Sequence, residues 1–379
     1  MANNKLIREG NACIYTTLNS YRAFYNPLAK LNRSLGVAIV SSIGNILNNS
    51  LKVADALAAT GIRGIRYAIE TNVVERIHFN DKSKNACKII EKNIHLNNIA
   101  GISQISNMDA NLFLFEYRFA FNFIDIDPFG TPSPFMDSAV ASVREGGVVA
   151  ITATDLAALC GLYKFPSLRK YGSLSVHTEY SKEIGLRILI KELMEAAGRH
   201  MRYGEIISAH VVNQYARVYI RVREGKKPYP HEYIGYLLHS IKNNNIIYVR
   251  MDKLSDIISD IKGSNNFLIA GPLWIGPLHN IDYLDTALNL VKSGSALAES
   301  DRKIVIKYLR IFKEEANMPP FHYDIHKACK KLKRSVPRAD SVIDELRSMG
   351  YLACRTHFNG TCIKTNAPYT VFLDLLRDL

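Results

Sequence analysis

Five short apolar runs, separated by segments with helical periodicity, constrain the fold of this chain more than any other feature of its sequence. The runs are Leu51–Leu57, Arg76–Asn80, Ser103–Asn107, Phe119–Ile126 and Gly147–Thr152. Between them lie the predicted helices Arg63–Glu70, Ser83–Leu96, Ala110–Tyr117 and Pro134–Val143. Strand–helix alternation of this kind predicts an α/β fold, a mostly parallel doubly wound sheet with helices on both faces. Four of the strands end on an acid, namely Asp55, Asp81, Asp109 and Asp127. Parallel strands present their carboxyl ends along one edge, and open α/β sheets bind ligands there. Each acid could instead cap the helix that follows it. For Asp55 and Asp109 taken singly that reading is at least even, whereas four in succession favour a ligand site.

The remaining segments complete a two-part plan. Thr154–Val176 predicts an active-site loop rich in turn residues and basic groups, and Glu179–Tyr203 a long helix. Glu205–Arg223 alternates like two closing strands broken near Asn213. The charged, proline-containing stretch Glu224–Pro230 marks a boundary between residues 1–223 and residues 224–379, a second α+β domain. There a basic helix spans Ser300–Glu315. It is followed by a helix over His322–Leu332, a break at Pro337, a helix over Ala339–Met349 and a hairpin turning at Asn359–Gly360. Helix, helix and hairpin in this order are in part winged-helix-like, a common nucleic-acid reader; a small packing domain is an equal alternative. The segment around the only tryptophan, Trp274, carries no readable function.

The chemistry is concentrated at the strand ends. After the first strand, Ala59-Thr60-Gly61-Ile62-Arg63-Gly64 forms a glycine-containing turn that lets a ligand approach the backbone. It is not Gly-x-Gly-x-x-Gly and offers no pyrophosphate cradle, which disfavours a dinucleotide. Asp81 stands 26 positions after Asp55, near the ~20-residue spacing to a ribose-binding acid. Asp109 could accept from an adenine amine. S-adenosylmethionine, an adenosine without phosphates, fits this edge better than a dinucleotide. The fourth strand stops on Asp127-Pro128-Phe129-Gly130. An exocyclic amine of a base is a poor nucleophile because its lone pair is delocalised into the ring. A carboxylate that accepts its N–H returns electron density to the nitrogen, a proline stiffens the turn and removes a competing donor, and an aromatic ring stacks on the base. The bland alternative is an ordinary turn with a capping Asp.

Charge points the same way. The chain has 379 residues, 48 Lys or Arg and 35 Asp or Glu, a net charge of +13. This excess suits a polyanion, most simply nucleic acid. Eleven Lys or Arg against three acids fall between Arg302 and Arg338, and Lys330, Lys331 and Lys333 are the candidate phosphate contacts. No run reaches the ~18 apolar residues of a membrane span, and the first residues lack a signal-peptide core. The six cysteines form no Cys-x-x-Cys pair, so neither a zinc site nor a disulfide framework is expected, and the compartment is read as cytosolic.

Taken in order, several motifs resemble the tRNA (guanine-26) dimethyltransferases, particularly the archaeal members. They are Phe24-Tyr25-Asn26-Pro27, Leu31-Asn32-Arg33, Asp55-Ala56-Leu57, the Ala59–Arg66 turn, Asn80-Asp81, Asp109-Ala110, Asp127-Pro128-Phe129-Gly130, Thr152–Asp155, Leu168–Tyr171, Gly271–Trp274, Arg355–Phe358 and Gly360–Pro368. The resemblance covers nearly the whole chain. It implies a class I S-adenosylmethionine-dependent methyltransferase fold, followed by a C-terminal domain that binds tRNA. It also implies transfer of two methyl groups to the 2-amino group of one guanine. By similarity, Arg33, Arg63, Asp81, Asp109 and Ala110 would contact the cofactor. Asp127 would hold the guanine amine, with Phe129 and Phe24 flanking the ring. Some relatives carry cysteine pairs that suggest zinc; this chain has none, so no metal is carried over. The competing readings are methylation of another base amine, such as a ribosomal guanine or a DNA adenine, and a non-catalytic RNA-binding protein.

Overall fold

Apolar residues alternate along the predicted strands, and in three dimensions the alternation divides two cores. A computed structural model describes residues 4–17, 25–48, 50–225, 230–242, 245–256 and 266–379. An amino-terminal hairpin, β1 (Asn4–Glu9) and β2 (Ala12–Thr17), precedes helix α1 (Lys30–Ile46). The central sheet then uses β3 (Leu51–Asp55), β4 (Val74–Asn80), β5 (Ser103–Ser106), β6 (Phe123–Ile126), β7 (Val148–Ala153), β8 (Arg202–Val212) and β9 (Tyr215–Glu224). Its order is β5-β4-β3-β6-β7-β9-β8. The first five strands run parallel, while β9 is antiparallel to both β7 and β8.

Successive residues of a strand face opposite sides. In β7, Val149, Ile151 and Ala153 enter the core beneath α4 (Ala110–Glu116), α5 (Ser133–Ser142) and α8 (Ser181–Arg199). Val148 and Ala150 enter the opposite core, beneath α1, α2 (Ile62–Glu70) and α3 (Lys84–Leu96). The helices Ile281–Ser293 and Glu299–Glu315 join this second core through Leu284, Ala287, Val305, Leu309 and Phe312. Apolar packing of the amino-terminal sheet therefore continues into the second half of the chain.

Three expectations need adjustment. The run at Phe119–Ile126 enters the sheet only at Phe123, because Phe119 adopts a positive φ of 63° that breaks an extended strand. The Thr154–Val176 segment contains two short helices, α6 (Leu156–Leu159) and α7 (Lys164–Tyr171). A second sheet, made from Ile234–Ser240, Ile246–Arg250 and Phe267–Trp274, has no counterpart in the sequence reading. Its pairing is irregular between Gly235 and Leu237, and Ile247, Tyr248, Leu268 and Ile269 are exposed, so the period-two signal is weak.

At the carboxyl end, helices Ile325–Leu332 and Ala339–Ser348 pack with strands Tyr323–Asp324, Ala353–Arg355 and Cys362–Thr365. The last helix, Tyr369–Asp378, was not foreseen; it contributes Phe372 and Leu376 to a separate core shared with Ile325, Val342 and Leu346.

A buried ion cluster ties the hairpin to both halves. Arg66 is fully buried and donates to Glu70, to Glu9 of the hairpin and to Asp301 of helix Glu299–Glu315, at 2.7, 3.0 and 3.0 Å. Glu9 also pairs with Arg33. Replacing Arg66 by Met would strand three carboxylates without their shared cation. Removing one partner of a buried pair costs about 3–5 kcal/mol. Arg66→Met is therefore expected to lose stability on that scale in denaturant unfolding, whereas an unchanged midpoint would mean that the cluster is not coupled to folding.

Candidate active site

At the carboxyl edge of the sheet, a cavity of about 510 Å³ opens where strand order reverses between β3 and β6. Its floor comes from the turn after β3, which contributes Ala58, Ala59, Thr60, Ile62 and Arg63. Gly61 sits at φ +77°, the left-handed region that glycine enters without a steric penalty. Gly64 packs so closely on β4 that a Cβ there would meet Ile77 and Phe79 side-chain atoms at 2.5 Å. Asp81, at the end of β4, locks this turn in place: one carboxylate oxygen accepts from the Ala59 amide at 3.0 Å and the other from the Ser83 amide at 2.8 Å. Lys82, Ser83 and Ala86 continue the wall.

The opposite wall carries the Asp127 motif. The Asp127 side chain is 28% exposed, and its Oδ2 accepts two hydrogen bonds from Arg63, at 2.6 Å from Nη2 and 3.1 Å from Nε. Arg63 Nη2 also donates to Asn32 Oδ1 of α1, at 3.0 Å. Burial alone would raise the Asp127 carboxyl, but the Arg63 guanidinium, with Arg217 behind it, holds it below the usual carboxylate range. Both Arg63 bonds fall on Oδ2, so Oδ1 lies outside that pair. Phe129 is 74% exposed at the mouth of the cavity.

Behind these groups lies a fully buried layer. Asp125 accepts from Arg217 and, at 2.9 Å, from the Tyr67 hydroxyl, while Arg217 also donates to Thr152. Asp55, almost completely buried, is pushed up to about 8 by burial and by the Asp125 charge. It is thus protonated near neutral pH.

The sequence-predicted residues fall into three groups. Arg33, Arg63, Asp81, Asp127 and Phe129 line one cavity. Asp109 and Ala110 do not: the Asp109 carboxylate caps α4, accepting from the Asn111 amide at 2.9 Å, as the capping alternative foresaw. Lys330, Lys331 and Lys333 are exposed at the end of helix Ile325–Leu332, in the carboxyl-terminal unit, and do not line the cavity. Phe24 lies outside the described residues. Reasoning from strand ends missed Tyr25, Asn26, Gln214 and Tyr215, which also line the cavity. The Tyr215 hydroxyl accepts from Asn26 Nδ2 at 2.6 Å, linking the β8–β9 turn to the start of α1. The Tyr25-Asn26-Pro27 motif was a signal for this contact, but its partner is remote in sequence.

One further cluster has the composition of a metal site. His279, Glu315 and His357 bring ligand atoms within 4.8 Å of one another. However, His357 Nε2 accepts from the Val211 amide at 3.2 Å, which leaves the ring proton on Nδ1, hydrogen-bonded to Glu315. This is a hydrogen-bonded seam between the two halves, and its donor pattern does not suit a cation.

The cavity tests well as a site for S-adenosylmethionine. Among the described residues, Arg63 Nη1, Asn32 Nδ2 and Thr60 Oγ1 are buried without a hydrogen-bond partner, which leaves donors for the carboxylate of an amino acid. Asp81 stands at the second strand end, where a nucleoside ribose binds in such sheets, and the walls carry no phosphate cradle. A sheet whose penultimate strand inserts antiparallel, with such a cavity at its switch point, defines a class I methyltransferase.

Comparison with known proteins narrows the class. The family model described as N2,N2-dimethylguanosine tRNA methyltransferase matches residues 4–377. The chain is 35% identical over 360 residues to the tRNA (guanine(26)-N(2))-dimethyltransferase of Methanosphaera stadtmanae, covering 94% of this chain and 91% of that protein. It is 35% identical to the corresponding Pyrococcus furiosus protein, with 98% of each covered. The solved structure of Trm1 from Pyrococcus horikoshii with S-adenosyl-L-methionine superimposes with a TM-score of 0.85 at 32% identity, over 98% of this chain and 99% of that one. The chain belongs to the N2,N2-dimethylguanosine tRNA methyltransferase family.

If Arg63 keeps Asp127 ionised, Arg63→Met should leave burial to dominate and raise the Asp127 carboxyl. The acid limb of the kcat/KM–pH profile should then move up by roughly 1–3 pH units, and Arg63→Lys should partly restore it. An unmoved acid limb would contradict this coupling.

Proposed function

We propose that this protein transfers two methyl groups in turn from S-adenosylmethionine to the 2-amino group of guanine 26 in tRNA, yielding N2,N2-dimethylguanosine. The observation that carries the reading is the pairing of an acid-lined cofactor edge with Asp127-Pro128-Phe129 in a single cavity. Family membership over residues 4–377 supplies the substrate class.

S-adenosylmethionine supplies an electrophilic methyl on a sulfonium centre. The chain's own residues account for the rest. Asp81 would hold the ribose hydroxyls, and the unpartnered donors around Arg63 would hold the carboxylate end; Arg33 lines the same wall. A base stacked in RNA cannot reach this cavity, so the guanine must be extruded, at a cost of a few kcal/mol. Phe129 offers a stacking face at the mouth, with Phe24 as its expected counterpart. Asp127 would accept one N–H of the amine through Oδ1 and so orient the nitrogen lone pair. Because Arg63 keeps Asp127 weakly basic, the carboxylate binds the neutral amine without deprotonating it. Once the nitrogen has gained a methyl and a positive charge, it is acidic enough to give its proton even to a weak base, which passes it to solvent. One N–H remains after the first transfer, so the same geometry permits a second.

We further assign residues 224–379 to tRNA binding, with Lys330, Lys331 and Lys333 on phosphates, and we place the activity in the cytoplasm. The exposed lysines at the end of helix Ile325–Leu332 support the first assignment. No helix among the described residues is long and apolar enough to cross a membrane.

Two acids should separate chemistry from binding. Asp127→Ala should lower kcat by about 10²–10³, the usual cost of one positioned polar group, with near-normal cofactor affinity. Asp81→Ala should weaken cofactor binding by about 1.5–3 kcal/mol in calorimetry and be partly rescued at high cofactor concentration. Wild-type turnover by the first variant, or unchanged affinity in the second, would remove that residue's role. Changing Lys330, Lys331 and Lys333 to Ala should weaken tRNA binding and flatten its salt dependence by up to about 0.7–0.9 log unit per lost phosphate contact, with cofactor affinity unaltered. An unchanged salt slope would place the RNA surface elsewhere.

A further inference from the structure

In the segment that follows Thr154, a residue of the cavity wall, the chain exposes four large apolar side chains. Leu162, Tyr163, Phe165 and Leu168 are 58, 63, 75 and 45% exposed, all within seven residues of the α6–α7 segment. Large apolar side chains exposed within so short a stretch mark an interaction surface.

The segment is held firmly to the catalytic motif. Gly130, immediately after Phe129, donates to Thr154 Oγ1 at 2.8 Å, and the Thr154 amide returns a bond to the Gly130 carbonyl at 2.9 Å. The next residue, Asp155, accepts from Lys170 Nζ at 2.8 Å and from the Tyr171 hydroxyl at 2.7 Å. Tyr171 in turn accepts from Thr131 at 2.8 Å, and Ser133 donates to the Lys170 carbonyl at 2.9 Å. Lys191 of α8 clamps the Tyr171 carbonyl at 2.8 Å. Both ends of the 156–171 segment are thus fastened to residues 130–133. Where it turns, Gly161 lies against the Val176 backbone so tightly that a Cβ would approach within 2.6 Å. The rings are therefore displayed from a support fixed to the residues that directly follow Phe129. Arg169, in the last turn of α7, is exposed on the same segment.

We propose that residues 162–168 form a stacking platform for the tRNA around the extruded guanine, with Tyr163 and Phe165 covering the nucleobases that lose a neighbour when it leaves the stack. The inference rests on the tRNA reading above. Extrusion exposes two π faces that must find new partners, and aromatic side chains supply them without regard to sequence. An exposed guanidinium on the platform complements the flanking phosphates. A second protein molecule would need a continuous apolar face. Here the apolar residues are followed by the exposed cation Arg169, on a segment fastened to the residues that follow Phe129 in a chain of net charge +13, which favours RNA.

The test uses the full-length protein and an unmodified tRNA transcript. Tyr163→Ala and Phe165→Ala should each lower kcat/KM for tRNA roughly 5- to 150-fold, the range that corresponds to one lost base stack, and the double variant should lower it further. S-adenosylmethionine affinity and thermal midpoint should stay at wild-type values. Phe165→Trp should retain activity, whereas Phe165→Leu, apolar but without a π face, should not. With 2-aminopurine at position 26, wild-type protein should increase fluorescence on binding and the double variant should not. Wild-type kinetics and fluorescence in the double variant would overturn the platform while leaving the tRNA reading intact. Loss of self-association with unchanged kinetics would reassign the surface to a protein contact and also overturn the platform. Failure of the wild-type protein itself to methylate tRNA would defeat the underlying reading, and the platform with it.

Discussion

The Arg63 guanidinium is shared by groups that the chain delivers from three directions. Asn32 comes from α1, Asp127 from the end of β6, and the buried Asp125 stands 3.9 Å away. Among the described residues, Arg63 joins the wall that would bind the cofactor to the motif that would bind the base. Its position depends in turn on the β3–α2 turn, which only glycine at 61 and close packing at Gly64 permit. Fixing that one cation therefore sets the spacing between the two halves of the site.

Charge balance explains why so many acids can coexist at one edge. Asp55, Asp125 and Asp127 lie around Arg63 and Arg217, three carboxyls for two guanidiniums. The excess is removed by raising Asp55 to about 8, so that it is neutral, while Asp127 is held ionised. Environments that drive neighbouring acids apart in this way are characteristic of sites with assigned acid and base roles. Of these three acids, only Asp127 presents an accessible carboxylate to the cavity.

The architecture was largely legible because its signals are local. The alternation of short apolar runs with helical periods predicted the parallel sheet, and terminal acids located the edge that carries the cavity. Asp81 and Asp127 followed from strand ends alone. Asp109 is outside the residues that line the cavity and its carboxylate caps α4, and an acid before a helix reads the same whether it caps that helix or faces a ligand. Tyr215 and Gln214 were invisible because they reach the site only through the antiparallel return of β9, a long-range arrangement that no local pattern encodes. The second sheet escaped for a different reason: with apolar residues exposed on Ile246–Arg250 and Phe267–Trp274, its strands lack a one-sided hydrophobic face. The helix Glu299–Glu315 was readable as a helix, whereas Ile281–Ser293 was not read, and the packing of both on α1 was not legible, because it makes the sheet's core depend on residues far beyond the boundary suggested by charge and proline.

The central claim is that one cavity brings a sulfonium methyl to the 2-amino group of a specific guanine. Nucleoside analysis of an unmodified tRNA transcript, incubated with the protein and isotopically labelled S-adenosylmethionine, tests it most directly. The account predicts label in N2-methylguanosine and then in N2,N2-dimethylguanosine, with neither formed on a transcript carrying adenine at position 26. Label in another base, or on ribosomal RNA or DNA in preference to tRNA, would contradict it.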